Sequence, residues 1–335
     1  MSARRRRGAV LVAVVVAILA TLAGCSTSDA TDSGAAFTSG STESSAVEST
    51  VTTAPAPATT VAPTPPTTVA PVTTTASPST PRLVALEDAG RPVVTRGRTV
   101  AATRRLPTLL WLPPGDGPHP LVVFAHGYSV GPLTYARFCA ALSAAGYVVA
   151  APSFPLADGG RGLGLDRGDL PNESTDVSFV IASLRTGSFA SSITPGPVGV
   201  VGHSDGADVA LEIGYQRGLA DPAVGAVVAI APDAFDATLA PAPRPPLLLM
   251  HADADSVVPY SESVQVFGAV STQRTFITLL GADHLPPVAE STRWTTVVDT
   301  ATIAFLDATL RGSATIDAAR RRMAVAGLST VRTAG

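Results

Sequence analysis

The chain contains no lysine; all 23 of its basic residues are arginine, set against 26 acidic ones for a formal net charge of −3. After Arg4–Arg7 no extended basic stretch follows, so the electrostatic footprint of a nucleic-acid-binding protein is missing. Cysteine is reduced to Cys25 and Cys139. Histidine occurs five times and is scattered, with no Cys/His group at metal-ligand spacing. There is no phosphate loop of the P-loop type and no dinucleotide-binding glycine pattern. Neither a metal nor an organic cofactor is expected.

The N-terminus has the build of a targeting segment, to be set aside from fold reasoning. Arg4–Arg7 form a positive head, and Ala9 to Ala20 an apolar run too short for a comfortable membrane span. Leu22-Ala23-Gly24-Cys25 follows and resembles a bacterial lipobox. In such sequences cleavage before the cysteine leaves it to carry the lipid, here Cys25. With Cys25 modified, only Cys139 remains and no intramolecular disulfide is possible. Cys139 sits in a helical pattern, where a small buried apolar role is expected.

Residues 26–81 contain almost no aromatics and are built of Thr, Ser, Ala, Pro and Val. Such a segment buries too little apolar surface to offset its conformational entropy. Pro-rich chain extends at about 3.1 Å per residue, so a stalk on the order of 100 Å is expected. Three regions result: a signal peptide over 1–24, a stalk over 25–81 and a catalytic domain over 82–335.

In that domain short β-branched runs alternate with helical ones. Strands are predicted at Thr108–Leu112, Leu121–Ala125, Tyr147–Ala151, Val198–Val201, Ala226–Ile230, Leu247–His251 and Thr275–Leu280. Helices are predicted at Leu133–Ala144, Glu173–Leu184, Ala207–Arg217, Ser261–Ala269 and Arg293–Leu310. Several strands are apolar throughout, as strands buried on both faces are. The alternation implies an α/β fold with a mostly parallel sheet and helices on both faces. Between Ile230 and Leu247 lie only sixteen residues, five of them proline, which leaves no room for a large cap domain. The loop from Ser153 to Asn172 is expected to be a movable wall of the cleft. The tail from Ile316, with Arg320-Arg321-Arg322, is read as a short helix with a solvated basic face.

The chemistry is concentrated in Gly202-His203-Ser204-Asp205-Gly206. It follows the apolar run Val198–Val201 and opens a helical one, the strand–turn–helix context of a nucleophile elbow. A serine hydroxyl needs a base, an orienting carboxylate and donors for the developing oxyanion. In the chain order of such hydrolases, acid and base follow the serine. Of the histidines only His284 follows both Ser204 and a plausible acid, in a loop directly after a strand. His119 lies between prolines, and His126 is read as structural. Leu248-Leu249-Met250-His251-Ala252-Asp253-Ala254-Asp255 ends a strand with two aspartates. Asp255 is the chosen acid because Val257-Val258-Pro259 would pack its loop. Asp253 is its rival, and Asp233 and Asp236 are further candidates. The backbone N–H groups of Asp205 and Tyr128 are the expected oxyanion donors, Tyr128 closing Phe124-Ala125-His126-Gly127-Tyr128.

These blocks, with Gly281-Ala282-Asp283-His284-Leu285, Gly146-Tyr147-Val148-Val149-Ala150-Ala151-Pro152 and Asp176-Val177-Ser178-Phe179-Val180, resemble those of α/β-hydrolases. The likeness is to the cap-less branch of dienelactone-hydrolase-like, chlorophyllase-like and polyester-hydrolase-like esterases, over about 82–310. It implies a serine esterase with the triad Ser204, Asp255 and His284. The substrate would be a small-molecule, lipid or polymer ester. The protein is expected to be a monomer tethered through Cys25 to the outer face of the cytoplasmic membrane. A peptidase or amidase, an acyltransferase, and a non-catalytic envelope protein remain alternatives. The sequence departs from the branch at Asp205 and Asp283, which are expected to add negative charge beside the base and to disfavour anionic acyl groups.

Overall fold

Runs that read as doubly buried strands pair side by side in parallel, and the helices between them cover both faces. The computed structural model describes residues 80–335, apart from 234, 236 and 237. The expected signal peptide, Cys25 and all but the last residues of the expected stalk therefore lie outside the described residues, as does Asp236. The strands are β1 (Arg82–Asp88), β2 (Val93–Thr95), β3 (Arg98–Ala101), β4 (Arg104–Trp111), β5 (Leu121–Ala125), β6 (Val148–Pro152), β7 (Val198–His203), β8 (Val224–Ile230), β9 (Leu247–Ala252), β10 (Arg274–Leu279) and β11 (Ser329–Ala334). The helices are α1 (Ala136–Ala144), α2 (Leu170–Thr186), α3 (Asp205–Tyr215), α4 (Tyr260–Ala269), α5 (Pro286–Ala289), α6 (Thr295–Leu306) and α7 (Ile316–Arg320).

Nine strands form one sheet in the order β1-β4-β6-β5-β7-β8-β9-β10-β11, while β2 and β3 form a separate hairpin. From β6 to β10 every pairing is parallel. Antiparallel pairings flank this block: β1 on β4 and β4 on β6 at one side, β11 on β10 at the other. Side chains alternate between two cores, as strand geometry requires. Val123 and Ala125 of β5 join α2, α3 and α4 in one, while Val122 and Phe124 join α1 and α6 in the other. Cys139 of α1 is fully buried in the second core and is a free thiol. Among the described residues no helix stands between β8 and β9, so no cap covers the strand ends. The mostly parallel sheet with helices on both faces is as expected.

Four strands went unread in the sequence, β1, β2, β3 and β11. All lie at sheet edges or in the hairpin, and their residues are largely exposed, so burial imprints no apolar pattern on them. The tail needs correcting. Only α7 is helical, and β11 closes the free edge of β10, from Arg274 opposite Ala334 to Leu279 opposite Ser329. An open edge presents unpaired backbone groups, and the tail satisfies them. Nor is its basic face wholly solvated: Arg320 Nε donates to Thr275 Oγ1 at 2.9 Å and Nη2 to the Arg274 carbonyl at 3.2 Å.

The stretch expected to be a movable wall is instead tied down along its length. Ser153–Ala157 are buried. Asp158 accepts from Ser153 Oγ at 2.6 Å, Ser129 N–H bonds the Ala157 carbonyl at 2.8 Å, and Asp166 accepts from Thr95 Oγ1 at 2.6 Å. Asp169 is gripped by Arg104, which is only 1 % exposed. Arg104 Nη1 and Nη2 reach Asp169 at 3.1 and 2.8 Å, while Nε and Nη2 reach Asp176 of α2 at 2.8 and 2.6 Å. Arg91 adds a second guanidinium to Asp176 at 2.5 Å. One arginine thus joins β4, the end of the loop and α2, and only a planar fork serves two carboxylates in this way.

Removing one partner of a buried ion group leaves uncompensated charge. Arg104→Met should therefore lower unfolding stability by about 3–5 kcal/mol, read from the urea midpoint at pH 7. Arg104→Lys should recover part of that loss.

Candidate active site

Ser204 stands between β7 and α3 with φ 58° and ψ −129°, a left-handed conformation that is strained for a residue with a Cβ. Two glycines make the turn possible. A Cβ on Gly202 would collide with the Gly206 carbonyl, and one on Gly206 with the Ala125 carbonyl. The elbow is therefore pressed against the end of β5. Ser204 N–H bonds the Ile230 carbonyl at 2.9 Å, and the Ser204 carbonyl accepts from Ala207 N–H at 2.7 Å. The turn is fixed on both sides before the side chain is considered.

The candidate base His284 and candidate acid Asp255 stand after the ends of β10 and β9. His284 Nδ1 lies 2.7 Å from Asp255 Oδ2, so in the neutral ring the proton sits on Nδ1 and Nε2 is the acceptor. Burial by itself would raise the Asp255 carboxyl. Hydrogen bonds from His251 and His284 and the Val258 N–H at 2.8 Å more than offset it, holding the group well below the usual carboxylate range. His251 Nε2 lies 3.3 Å from Asp255 Oδ2 and 3.1 Å from the Val258 carbonyl, so its one N–H is shared between them, while its Nδ1 accepts from Ser263 Oγ at 2.6 Å. The rival Asp253 faces elsewhere, accepting Gly281 N–H at 2.6 Å. Asp283 accepts Ser256 N–H, Ser256 Oγ and its neighbour's N–H at 2.8–2.9 Å. These two aspartates therefore staple the acid and base loops together.

A buried relay connects the base loop to the rest. His203 is buried, and burial, then the nearby His284, push its imidazole down to about 3. Neutral, it donates from Nε2 to the His284 carbonyl at 3.0 Å and accepts at Nδ1 from Tyr135 Oη at 3.0 Å. Tyr135 Oη in turn accepts Gly127 N–H at 3.2 Å. The His203 and His284 rings pack with centroids 4.6 Å apart. His126, pushed down to about 4 by burial, donates to the Gly127 carbonyl at 2.9 Å and accepts Phe154 N–H at 3.0 Å. It ties the turn at Gly127 to the neighbouring loop, as a structural histidine does.

Tyr128 and Asp205 flank this arrangement. A Cβ built on Gly127 would sit 3.2 Å from Ser204 Cβ, so the turn carrying Tyr128 lies directly on the nucleophile. Asp205 is the first residue of α3, and first-turn N–H groups have no partner within a helix. Its carboxylate is not the uncompensated charge that the sequence suggested. Arg167 grips it with Nε at 2.8 Å and Nη2 at 2.7 Å. The same guanidinium binds Asp233 at 2.6 Å, which places Asp233 in the wall rather than beside the base. Among the described residues no hydrogen bond joins Ser204 Oγ to His284; such contacts often tighten only around substrate.

The expectation therefore found the residues at the strand ends but missed what holds them: Tyr135, His203, His251 and Arg167. Tyr135 lay hidden in a run read as helix, and His203 stood in view as the variable position of the glycine motif. Arg167 carried no local signal, because its partners are remote in sequence.

A parallel sheet of this order, with a serine elbow after a central strand and a His–Asp pair after two later ones, is the architecture of the α/β-hydrolase superfamily. Within it, the chlorophyllase family model matches residues 92–268, and the chain belongs to that family. No curated protein matches the chain. Membership makes the protein an α/β-hydrolase acting on esters. The matched segment spans Ser204 and Asp255 and stops before His284.

The depressed Asp255 carboxyl stabilises the fold above the ordinary carboxylate value, and that contribution is lost as pH falls toward the folded value. Asp255→Asn should therefore be less stable than the wild type at pH 7. The gap should narrow below about pH 4, as followed by urea unfolding across a pH series.

Proposed function

We propose that the protein is a serine esterase working through an acyl-enzyme. The observation that carries this reading is the Asp255–His284 hydrogen bond of 2.7 Å, set beside a serine in strained elbow geometry. His284 Nε2 takes the Ser204 proton as Oγ attacks the ester carbonyl carbon. Asp255 holds the ring in the tautomer that leaves Nε2 free, and it stabilises the imidazolium that forms. The amides beside Tyr128 are engaged, Gly127 with Tyr135 and Ser129 with Ala157. That leaves the Tyr128 N–H as the turn's donor, to act with Asp205 N–H on the oxyanion. The imidazolium protonates the departing alkoxide. Water then attacks the acyl-enzyme, with His284 again removing a proton, and releases the acid.

The absence of a cap among the described residues supports an open cleft suited to a small-molecule, lipid or polymer ester. It argues against the exclusion of water that acyl transfer would need. The lipobox-like Leu22-Ala23-Gly24-Cys25 supports a lipid anchor on Cys25, with the domain outside the cytoplasmic membrane.

The test is hydrolysis of p-nitrophenyl esters from acetate to decanoate by the full chain in detergent. Ser204→Ala and His284→Ala should each lower kcat by about 10⁴-fold or more, and a fluorophosphonate should label the wild type at Ser204. A folded wild type that hydrolyses none of them and takes no label would favour the non-catalytic envelope protein. For the anchor, cells fed a radioactive fatty acid should label the wild type and not Cys25→Ser. Equal labelling of both would refute it.

A further inference from the structure

Arg167 belongs to none of the motifs, yet it pairs with two carboxylates beside the elbow. Its guanidinium makes a two-pronged pair with Asp205, whose side chain is only 6 % exposed, and a third contact with Asp233. Asp208 of α3 lies 4.0 Å from Nη2, and its Oδ1 accepts Asp233 N–H at 3.1 Å. Three segments from three strand ends thus meet on one side chain: the loop after β6, the elbow helix after β7 and the loop after β8. Tyr128 borders the same cluster, its phenol held above the usual value by burial and then by the Asp205 and Asp166 carboxylates.

The arginine is itself anchored. It opens a single 3₁₀ turn, Arg167–Asp169. At one end Asp166 caps the turn by accepting Gly168 N–H at 3.0 Å, and it is held by Thr95. At the other, Asp169 is seized by the buried Arg104. A long arginine side chain normally carries much rotational freedom. Here the turn is pinned at both ends and the fork at its tip, so the guanidinium is a fixed strut between the sheet's flank and the elbow.

We propose that Arg167 is a positioning residue for the reaction: through the Asp205 carboxylate it sets the direction of the Asp205 N–H toward the oxyanion. The inference rests on the serine-esterase reading and deepens it. The Asp205 N–H shares its peptide plane with the Ser204 carbonyl, so a tilt of that plane moves the donor while the Ser204 side chain, His284 and Asp255 stay in place. An oxyanion donor acts mainly on charge that develops in the transition state. Releasing the strut should therefore show in kcat rather than KM.

The test uses the full chain in detergent, with active sites counted by fluorophosphonate titration so that misfolded protein does not enter kcat. Removing an oxyanion donor outright costs about 10²–10³-fold, and misdirecting one should cost less, about tenfold. Arg167→Gln and Asp205→Asn should each lower kcat per titrated site by about that factor, with KM within about twofold. The double variant should be no slower than the slower single one, because both break the same contact. Arg167→Lys, a charge without the fork, should recover part of the loss. The proposal is overturned if both single variants keep kcat per site within about twofold of wild type while only their melting temperatures fall. It is likewise overturned if their losses multiply in the double variant. Should Arg167→Gln not fold, Asp205→Asn, which removes the same charge pair from the other side, decides alone. A wild type that neither turns over esters nor takes label would overturn the esterase reading and this inference together. An active wild type with an unaffected Asp205→Asn overturns this inference only.

Discussion

The neutral imidazole of His203 is the joint on which the site depends. Its Nε2–H holds the carbonyl of His284, and its Nδ1 receives the Tyr135 hydroxyl, which in turn holds Gly127 N–H. The turn after β5, the elbow after β7 and the base loop after β10 are thus registered through one buried ring. The arrangement requires the ring uncharged, since a protonated imidazole has no acceptor left for Tyr135. Burial supplies that condition by disfavouring the imidazolium, and the neighbouring His284 adds to it.

Around that joint the aspartates divide by direction rather than by identity. Asp255 faces His284 and His251, Asp253 turns to Gly281, and Asp283 turns to Ser256. Asp253 and Asp283 close the acid and base loops on each other. That closure limits how far the His284–Asp255 hydrogen bond can drift, a precondition for a base that must hold one tautomer. The carboxylates beyond the elbow, Asp205, Asp208 and Asp233, gather instead at Arg167. The carboxylate next to Ser204 is therefore paired with a cation brought from a distant loop.

A chain whose cations are all arginine suits this construction. Arg104 and Arg167 each serve more than one carboxylate, and both act on the short turn that begins at Arg167. The ammonium of a lysine offers a point charge without the planar fork needed for such sharing. The flanking strand β4, the turn and the elbow are joined in series by these two residues. The end of the loop after β6 is consequently held from both sides.

The central strands and the candidate residues Ser204 and His284 were legible along the chain because each is a local matter. Strands buried on both faces must be continuously apolar, so β5, β7, β8 and β9 showed themselves, and an elbow needs its glycines at fixed spacing, so Ser204 did too. His284 followed from chain order and scarcity. What the sequence alone determined was therefore the parallel sheet and the elbow that carries Ser204, with His284 as the candidate partner. The edge strands β1 and β11, the contact of Asp255 with His284 and of Asp253 with Gly281, the Tyr135–His203 relay and the pairing of Arg167 with Asp205 were decided only by the tertiary structure. Each of these depends on which groups meet across tens of residues. Hydrogen bonds and ion pairs of that kind select partners by direction and burial, and neither quantity exists until the chain has folded.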